Sequence, residues 1–416
     1  MTAAERGVLI VGAGHAAGAL AAALRQGGFE GPITLVGEEP LPPYQRPPLS
    51  KAVLKGEASP DTLLLRPAAF YADKAIALRL AARVVAVDRA ARTASLDDGS
   101  VLGWDQLVFA TGSRLRALPV PGVDARGVLE LRTAADGARI REALAPGRRL
   151  VVVGGGYVGL EVAASARALG AEVVVVEREA RLLARVASPA LSAFFARAHA
   201  ARGVGLELGA TVAGFDTAEG AIRGVRLADG RLLAADVAVV GIGALANDAL
   251  ALAAGLACQD GIVVDESART SDPAIFAIGD CTNRPLPRYG RRMRLESVPN
   301  ALEQAKQAAA AILGKPVPRA ELPWFWSDQY DLRLQIAGLP FDVARTVVRG
   351  DPDAGRFVVF HLDADNRLQA VEAVNSPAEF MAARAWAAAA QVLDPDRAAD
   401  PGVAVKQIPV DAPAAG

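Results

Sequence analysis

The residues from Gly154 to Gly159, GGGYVG, carry the most specific chemistry in this 416-residue chain. They follow the apolar run Leu150–Val153 and precede a helix-like segment, EVAASARALG; a second apolar run, Val173–Val176, then ends on Glu177. In such a strand–turn–helix–strand unit, Gly154 permits the tight turn and Gly156 lets backbone approach a pyrophosphate. Gly159 lets helix and strand pack closely, and Tyr157 and Val158 carry the turn into the helix. The helix N-terminus would present its partial positive charge to the phosphates. Glu177 is placed to accept hydrogen bonds from adenosine ribose hydroxyls. A carboxylate there would repel the extra phosphate of NADPH, which favours NADH.

A second copy opens the chain. Val8–Val11 leads into GAGHAA (Gly12, Ala13, Gly14, His15, Ala16, Ala17), then a helix-like segment and the run Ile33–Val36, with Glu38 just beyond. Ala17 stands where a third glycine would be, a variation the pattern allows. Two fingerprints imply two dinucleotides.

The elements that must position these loops follow from the rest of the chain. The proline-rich stretch PLPPYQRPPLSK holds Arg46 and Lys51 on a stiff, extended path near the first fingerprint. Short strands and turns fill residues 76–104, and the strand QLVFATGS then ends in Ala110, Thr111 and Gly112, small residues that bring backbone close to a ligand. After the second fingerprint the same plan repeats, with GIG, ending at Gly243, echoing ATG. The boundaries read from this pattern give a discontinuous first dinucleotide domain over 1–113 and 244–320. A second domain, 114–243, is inserted into it, and 321–410 forms a small α+β domain. The residues after Asp396, rich in Ala, Pro and Asp, read as a loosely ordered tail.

Composition narrows the function classes. Lys plus Arg number 45 and Asp plus Glu 46, so nothing global favours nucleic acid or an anionic membrane as partner. No apolar stretch reaches the length of a membrane span and the N-terminus enters a strand at once, so the expectation is a cytoplasmic protein. Cys258 and Cys281 form no CxxC or CxxxxC pair, which argues against a thiol-redox site or a protein-held iron–sulfur cluster. His15, His199 and His361 are too scattered for a metal site. His15 lies in the first glycine loop, and His199 and His361 read as surface or packing residues. The basic tract with Arg288, Arg291, Arg292 and Arg294 offers a landing site for an acidic partner.

Taken together, GAGHAA, RPPLSK, ATGSR, GGGYVGLE, VVVVERE, GIG, AIGD, ESVPNA and WFWSDQYD resemble, in order, the FAD-dependent NADH:ferredoxin reductases of the glutathione-reductase fold. More narrowly, the chain is similar to the putidaredoxin and rubredoxin reductases that serve oxygenases, over nearly its whole length. The resemblance implies an α/β architecture of two Rossmann-like domains plus the C-terminal α+β domain. It implies FAD in the first fingerprint, with Gly12, Gly14, His15 and Glu38 along its ADP part, and NADH in the second. Lys51, Val84, Arg132, Asp280 and Val298 match flavin-contacting positions: Asp280 toward the ribityl chain, the backbone near Val298 toward the pyrimidine edge. Trp326, rather than Trp324, would pack near the flavin. Glu161 matches an acid beside the nicotinamide that pairs with Lys51.

The implied activity is transfer of electrons from NADH through FAD, singly, to a separate 2Fe–2S ferredoxin that supplies a cytochrome monooxygenase or Rieske dioxygenase. The protein would act as a monomer or weak homodimer. Alternative acceptors are rubredoxin or a small molecule such as a quinone or dehydroascorbate. A different class, an NADH-sensing flavoprotein switch like apoptosis-inducing factor, also fits the fold. One departure from the family pattern is Ala246 before Asn247, where proline is usual, which should loosen that turn.

Overall fold

The computed structural model describes residues 6–410. Among these, the chain divides into two compact units, one built from 6–48, 58–114 and 244–321, the other from 49–57, 115–243 and 322–410.

In the first unit, five strands form a parallel sheet in the order Ile275–Ala277, Gln106–Phe109, Val8–Val11, Ile33–Gly37, Ile76–Leu80. Its inner strands are short runs rich in Val, Ile, Leu and Phe because both faces are covered, whereas the edge strand Ile76–Leu80 exposes Ala77 and Arg79. The helices His15–Gln26 and Val298–Ile312 pack over one face, burying Ile10, Leu20, Leu24, Phe276 and Ala305. The three-stranded antiparallel sheet Val84–Asp88, Thr93–Leu96, Val101–Gly103 contributes to the core on the other, with Trp104 and Phe109. Val8–Val11 lies between the second strand and the fourth segment to pair, so the direction of winding reverses beside it. That reversal opens a crevice at the C-terminal end of the strand, where Gly12 begins.

The second unit repeats the design. Its parallel sheet runs Val204–Leu208, Glu172–Glu177, Arg149–Val153, Val237–Val240, Val128–Glu130, and the winding reverses beside Arg149–Val153. A separate five-stranded antiparallel sheet follows in the order Trp324–Gln329, Leu332–Gly338, Leu368–Val374, Arg356–Leu362, Arg345–Asp351, with the helix Pro377–Ala388 against it. The sequence places residues 49–57 in the first domain, whereas here they group with the second unit. There the short helix Ala52–Lys55 buries Val53 and Leu54 and packs against the helices Ala134–Ala143 and Tyr157–Ala168.

The expectation of a loose tail beyond Asp396 is corrected up to residue 410. The helix Pro395–Ala399 is capped by Asp394, Ile408 is fully buried, and the Arg349 guanidinium donates to the carbonyls of Asp400 and Val403. An arginine on a neighbouring strand thus supplies the donors that a low-complexity sequence does not reveal. Residues 411–416 lie outside the described residues.

Candidate functional site

In the first unit, Gly12 has φ +118° and a side chain there would overlap the Ala110 carbonyl oxygen, so two strand ends cross at backbone distance. Gly14 caps the His15–Gln26 helix without a side-chain acceptor, and a Cβ on it would meet nothing within 4 Å. Helix N–H groups therefore face open space where an anion fits. His15 opens the helix; burial, helped by the nearby Arg46, lowers its pKa to about 4, so it is neutral at pH 7. Ala17 is fully buried in the helix–sheet contact. Glu38 is exposed and pairs with Arg83 at 3.0 Å.

Strand register explains the position of that acid. Val153 aligns with Val176 before Glu177, and Val11 aligns with Val36 before Gly37. A side chain at Gly37 would overlap Ala13, which shifts the acid to the next residue.

The Ala110–Gly112 turn is held by Asn247. Thr111 Oγ1 donates to the Asn247 carbonyl at 2.7 Å, Asn247 Nδ2 to the Thr111 carbonyl at 3.0 Å, and Asn247 N–H to the Gly112 carbonyl at 3.0 Å. Asn247, which follows Ala246, is thus tied to the turn by three hydrogen bonds, two that it donates and one that it accepts. Asp280 sits in the 3₁₀ turn Gly279–Cys281 and accepts from Ser113 Oγ at 3.3 Å. Val298 is the first residue of its helix, capped by Ser297, and Val84 begins its strand, 7% exposed.

Arg46 is an ion-paired residue. Its guanidinium reaches Glu39 at 2.5 Å and donates to the Tyr44 hydroxyl at 3.1 Å, while that hydroxyl donates to Glu39 at 2.6 Å. The sequence reads Arg46 and Lys51 as two cations of one loop; the structure gives Arg46 to the first unit and Lys51 to the second.

In the second unit, Gly154 has φ +113° and a side chain on it would overlap the Gly241 carbonyl; one on Gly159 would overlap the Gly154 carbonyl. Gly156 again caps its helix with no side-chain acceptor and open space beside it. Both glycine turns thus fit a dinucleotide pyrophosphate, with side chains excluded where backbone crosses and space left where phosphate belongs. Glu177 braces the loop, one carboxylate oxygen accepting from Gly155 N–H at 2.7 Å and the other from Glu179 N–H at 2.8 Å. A carboxylate offers about four acceptor sites, so ribose hydroxyls still find room. Tyr157 lays its ring 4.5 Å from that of Phe325 and donates to the Val186 carbonyl at 3.2 Å. Val158 is 49% exposed, and Gly243, with φ +109°, accepts from Arg116 N–H at 2.9 Å.

Lys51 Nζ lies 2.7 Å from Glu161 Oε2. Glu161 is only 5% exposed on the inner side of its helix, and it also accepts from Ser50 Oγ at 2.5 Å and Ser327 Oγ at 2.6 Å. Three donors around one buried carboxylate offset its desolvation. Neither serine is distinguished in the sequence, although each lies inside a quoted motif, RPPLSK and WFWSDQYD. Hydroxyls at such positions are too common to single out without the fold. Trp326 is half-buried, 5.5 Å from Trp324, over which Arg384 stacks at 4.9 Å. Arg132 donates its N–H to Asp136 at 3.0 Å beside the capping box at Thr133.

The basic tract is partly engaged within the chain, with Arg291 and Arg292 exposed. Arg292 donates to the carbonyls of Val264 and Asn283, and Arg294 is paired with Asp260 and Glu296. Arg288 stacks over Tyr289 at 5.5 Å, and Arg291 lies on the exposed strand Arg291–Met293. Of the two roles expected for the other histidines, surface or packing, both take the second: His199 is 0% exposed and His361 4%. Among the described residues no cluster of His, Cys, Asp and Glu could hold a metal ion, and no helix is long and apolar enough to cross a membrane.

Comparison with known proteins places this geometry. Residues 6–305 match the model of the pyridine nucleotide-disulphide oxidoreductases, and residues 324–409 that of the reductase C-terminal domain. The chain is 51% identical over 411 residues to a probable ferredoxin reductase, CtmF, of Castellaniella defragrans, covering 99% of this chain and 100% of that one. It is 43% identical to putidaredoxin reductase of Pseudomonas putida, covering 96% of each chain. The reductase in a crystal structure of the covalent putidaredoxin reductase–putidaredoxin complex superposes with a TM-score of 0.94 at 42% identity, covering 97% of this chain and 98% of that one. The chain belongs to the pyridine nucleotide-disulphide oxidoreductase family.

Proposed function

We propose that the chain is an NADH-dependent FAD flavoprotein that passes electrons one at a time to a 2Fe–2S ferredoxin supplying an oxygenase. What carries the reading is the pair of glycine turns, each open where a pyrophosphate would lie, in a chain with no dithiol motif. Its two cysteines are free, and burial raises both thiols, Cys258 to about 11. The ferredoxin reductases and the putidaredoxin complex among its relatives supply the acceptor class.

The residue roles follow. Gly12, Gly14, His15, Ala17 and Glu38 hold the adenylate end of FAD, the Ala110–Gly112 turn lies beside it, and Asp280 accepts from ribityl hydroxyls. Val84 and Val298 add flavin contacts in the first unit, Arg132 and Trp326 are assigned to the flavin by the family resemblance alone, and Arg46 stiffens the loop. Gly154, Gly156, Tyr157, Val158, Gly159, Glu177 and Gly243 line the NADH site. FAD, when bound, accepts a hydride and releases electrons singly. The chain need supply no proton at that step; its task is to orient. Lys51 holds positive charge beside the nicotinamide, and Glu161 fixes where that charge sits. The reading includes a cytoplasmic location.

The test is anaerobic stopped-flow of the holoprotein against NADH and, separately, NADPH, followed by cytochrome c reduction with and without a 2Fe–2S ferredoxin. Rapid bleaching by NADH and ferredoxin-dependent turnover are expected. Fast bleaching without ferredoxin dependence would reassign the acceptor, and slow bleaching into a persistent charge-transfer complex would favour a switch.

A further inference from the structure

The donors around Glu161 do not end at Ser327. Gln329 Nε2 donates to Ser327 Oγ at 3.2 Å, and Gln329 Oε1 lies 2.8 Å from His199 Nε2. An amide oxygen only accepts, so Nε2 of His199 carries the proton. His199 Nδ1 is then the acceptor for the Tyr330 hydroxyl at 3.3 Å. Ser327 and His199 are 0% exposed and Gln329 1%. The chain Tyr330, His199, Gln329, Ser327 is thus polarised in one direction, every hydrogen pointing toward the Glu161 carboxylate.

Tyr330 is itself held in place. It takes φ +56° in the two-residue turn between the strands ending at Gln329 and starting at Leu332, and the Arg202 guanidinium stacks on its ring at 4.6 Å. A bulky residue in left-handed backbone persists only where its surroundings fix it.

We infer that Ser327, backed by Gln329 and His199, is a positioning residue for reduction by NADH: it holds the Glu161 carboxylate turned toward Lys51. A hydroxyl donor on one carboxylate oxygen and an ammonium on the other fix the carboxylate's orientation and, through it, the place of the ammonium. The alternative role for the same contacts is plain packing of the C-terminal sheet, and the two roles predict different kinetics. The inference rests on the proposed reduction by NADH, and the experiment separates the two.

Holoprotein carrying Ser327→Ala, Ser327→Thr or Gln329→Leu is compared with the parent in two ways. Flavin reduction is followed anaerobically over a series of NADH concentrations, which separates the limiting rate from the apparent Kd for NADH. Urea unfolding gives the stability of each variant. Ser327→Ala is expected to slow the limiting rate about tenfold, the scale of one hydrogen bond to a charged group, with the apparent Kd for NADH within about twofold of the parent. Ser327→Thr, which restores the hydroxyl, should return the rate toward the parent, and Gln329→Leu should slow it by less. The inference is overturned if Ser327→Ala reduces at the parental limiting rate, whatever its urea midpoint. It is likewise overturned if Ser327→Thr behaves as Ser327→Ala does. If the parent itself is not reduced by NADH, it is the functional reading that fails.

Discussion

At the scale of single residues, the site is governed by how buried polar groups are satisfied. Glu161 is satisfied by Lys51, Ser50 and Ser327, and Asn247 by the Thr111–Gly112 backbone. His199 is held neutral, its pKa driven below 6.5 first by burial, with Arg202 adding to the effect against the opposing bond to Gln329. The sign of its effect on stability follows. Because the folded pKa is depressed, the unfolded chain takes up the proton first as pH falls. The stability that comes from keeping His199 neutral is full above 6.5 and is lost as pH drops below it. Urea unfolding at pH 7.5 and 5.5 should therefore show a smaller acid loss for His199→Gln than for the parent. An equal loss in both would mean that this histidine titrates alike folded and unfolded.

At the scale of elements, each strand–turn–helix unit separates glycines that packing requires from glycines that leave space. Gly159 faces the Gly154 carbonyl inside the helix–strand contact, whereas Gly156 faces nothing within 4 Å. Gly159→Ala should therefore lower stability by on the order of 1–3 kcal/mol through overpacking, measured as a lower urea midpoint. Gly156→Ala should leave that midpoint nearly unchanged and raise the KM for NADH about tenfold, because its methyl enters the phosphate space. The reverse pattern would place the nucleotide elsewhere. Both glycines are legible in the sequence as one motif; only the backbone geometry tells their duties apart. Glu177 shows the same limit. Its position at a strand end is readable, but its bonds to Gly155 and Glu179 depend on the turn that the glycines make.

At the scale of the molecule, the chain keeps a family architecture while lacking the dithiol of the family's name. Cys281 is buried and donates to the Ile278 carbonyl at 3.3 Å, and both thiols are raised, so neither is disposed to act as a thiolate. The double variant Cys258→Ala, Cys281→Ala should retain ferredoxin-dependent turnover within about twofold, at a stability cost of about 1 kcal/mol. Abolished turnover in a folded, FAD-loaded variant would point to thiol chemistry. The near balance of 45 basic and 46 acidic residues leaves no strong global field, and the basic tract spends Arg294 on Asp260 and Glu296. Charge counted along the sequence does not see such internal pairing, whereas Arg291 and Arg292 stay exposed.

By itself the sequence determined the architecture and the positions of the glycine turns. Short apolar runs ending in glycine form buried parallel strands with sharp exits, and that relation is local in the chain. Lys51 and Glu161 were paired through resemblance. The rest was decided by tertiary structure, which gathers residues far apart in number: Ser50 with Glu161 and Ser327, Asn247 with Thr111, Arg349 with the carbonyls of 400 and 403, His199 with Gln329. Such contacts have no periodicity and no spacing, since a hydrogen bond between distant segments is specified by the packing that brings them together.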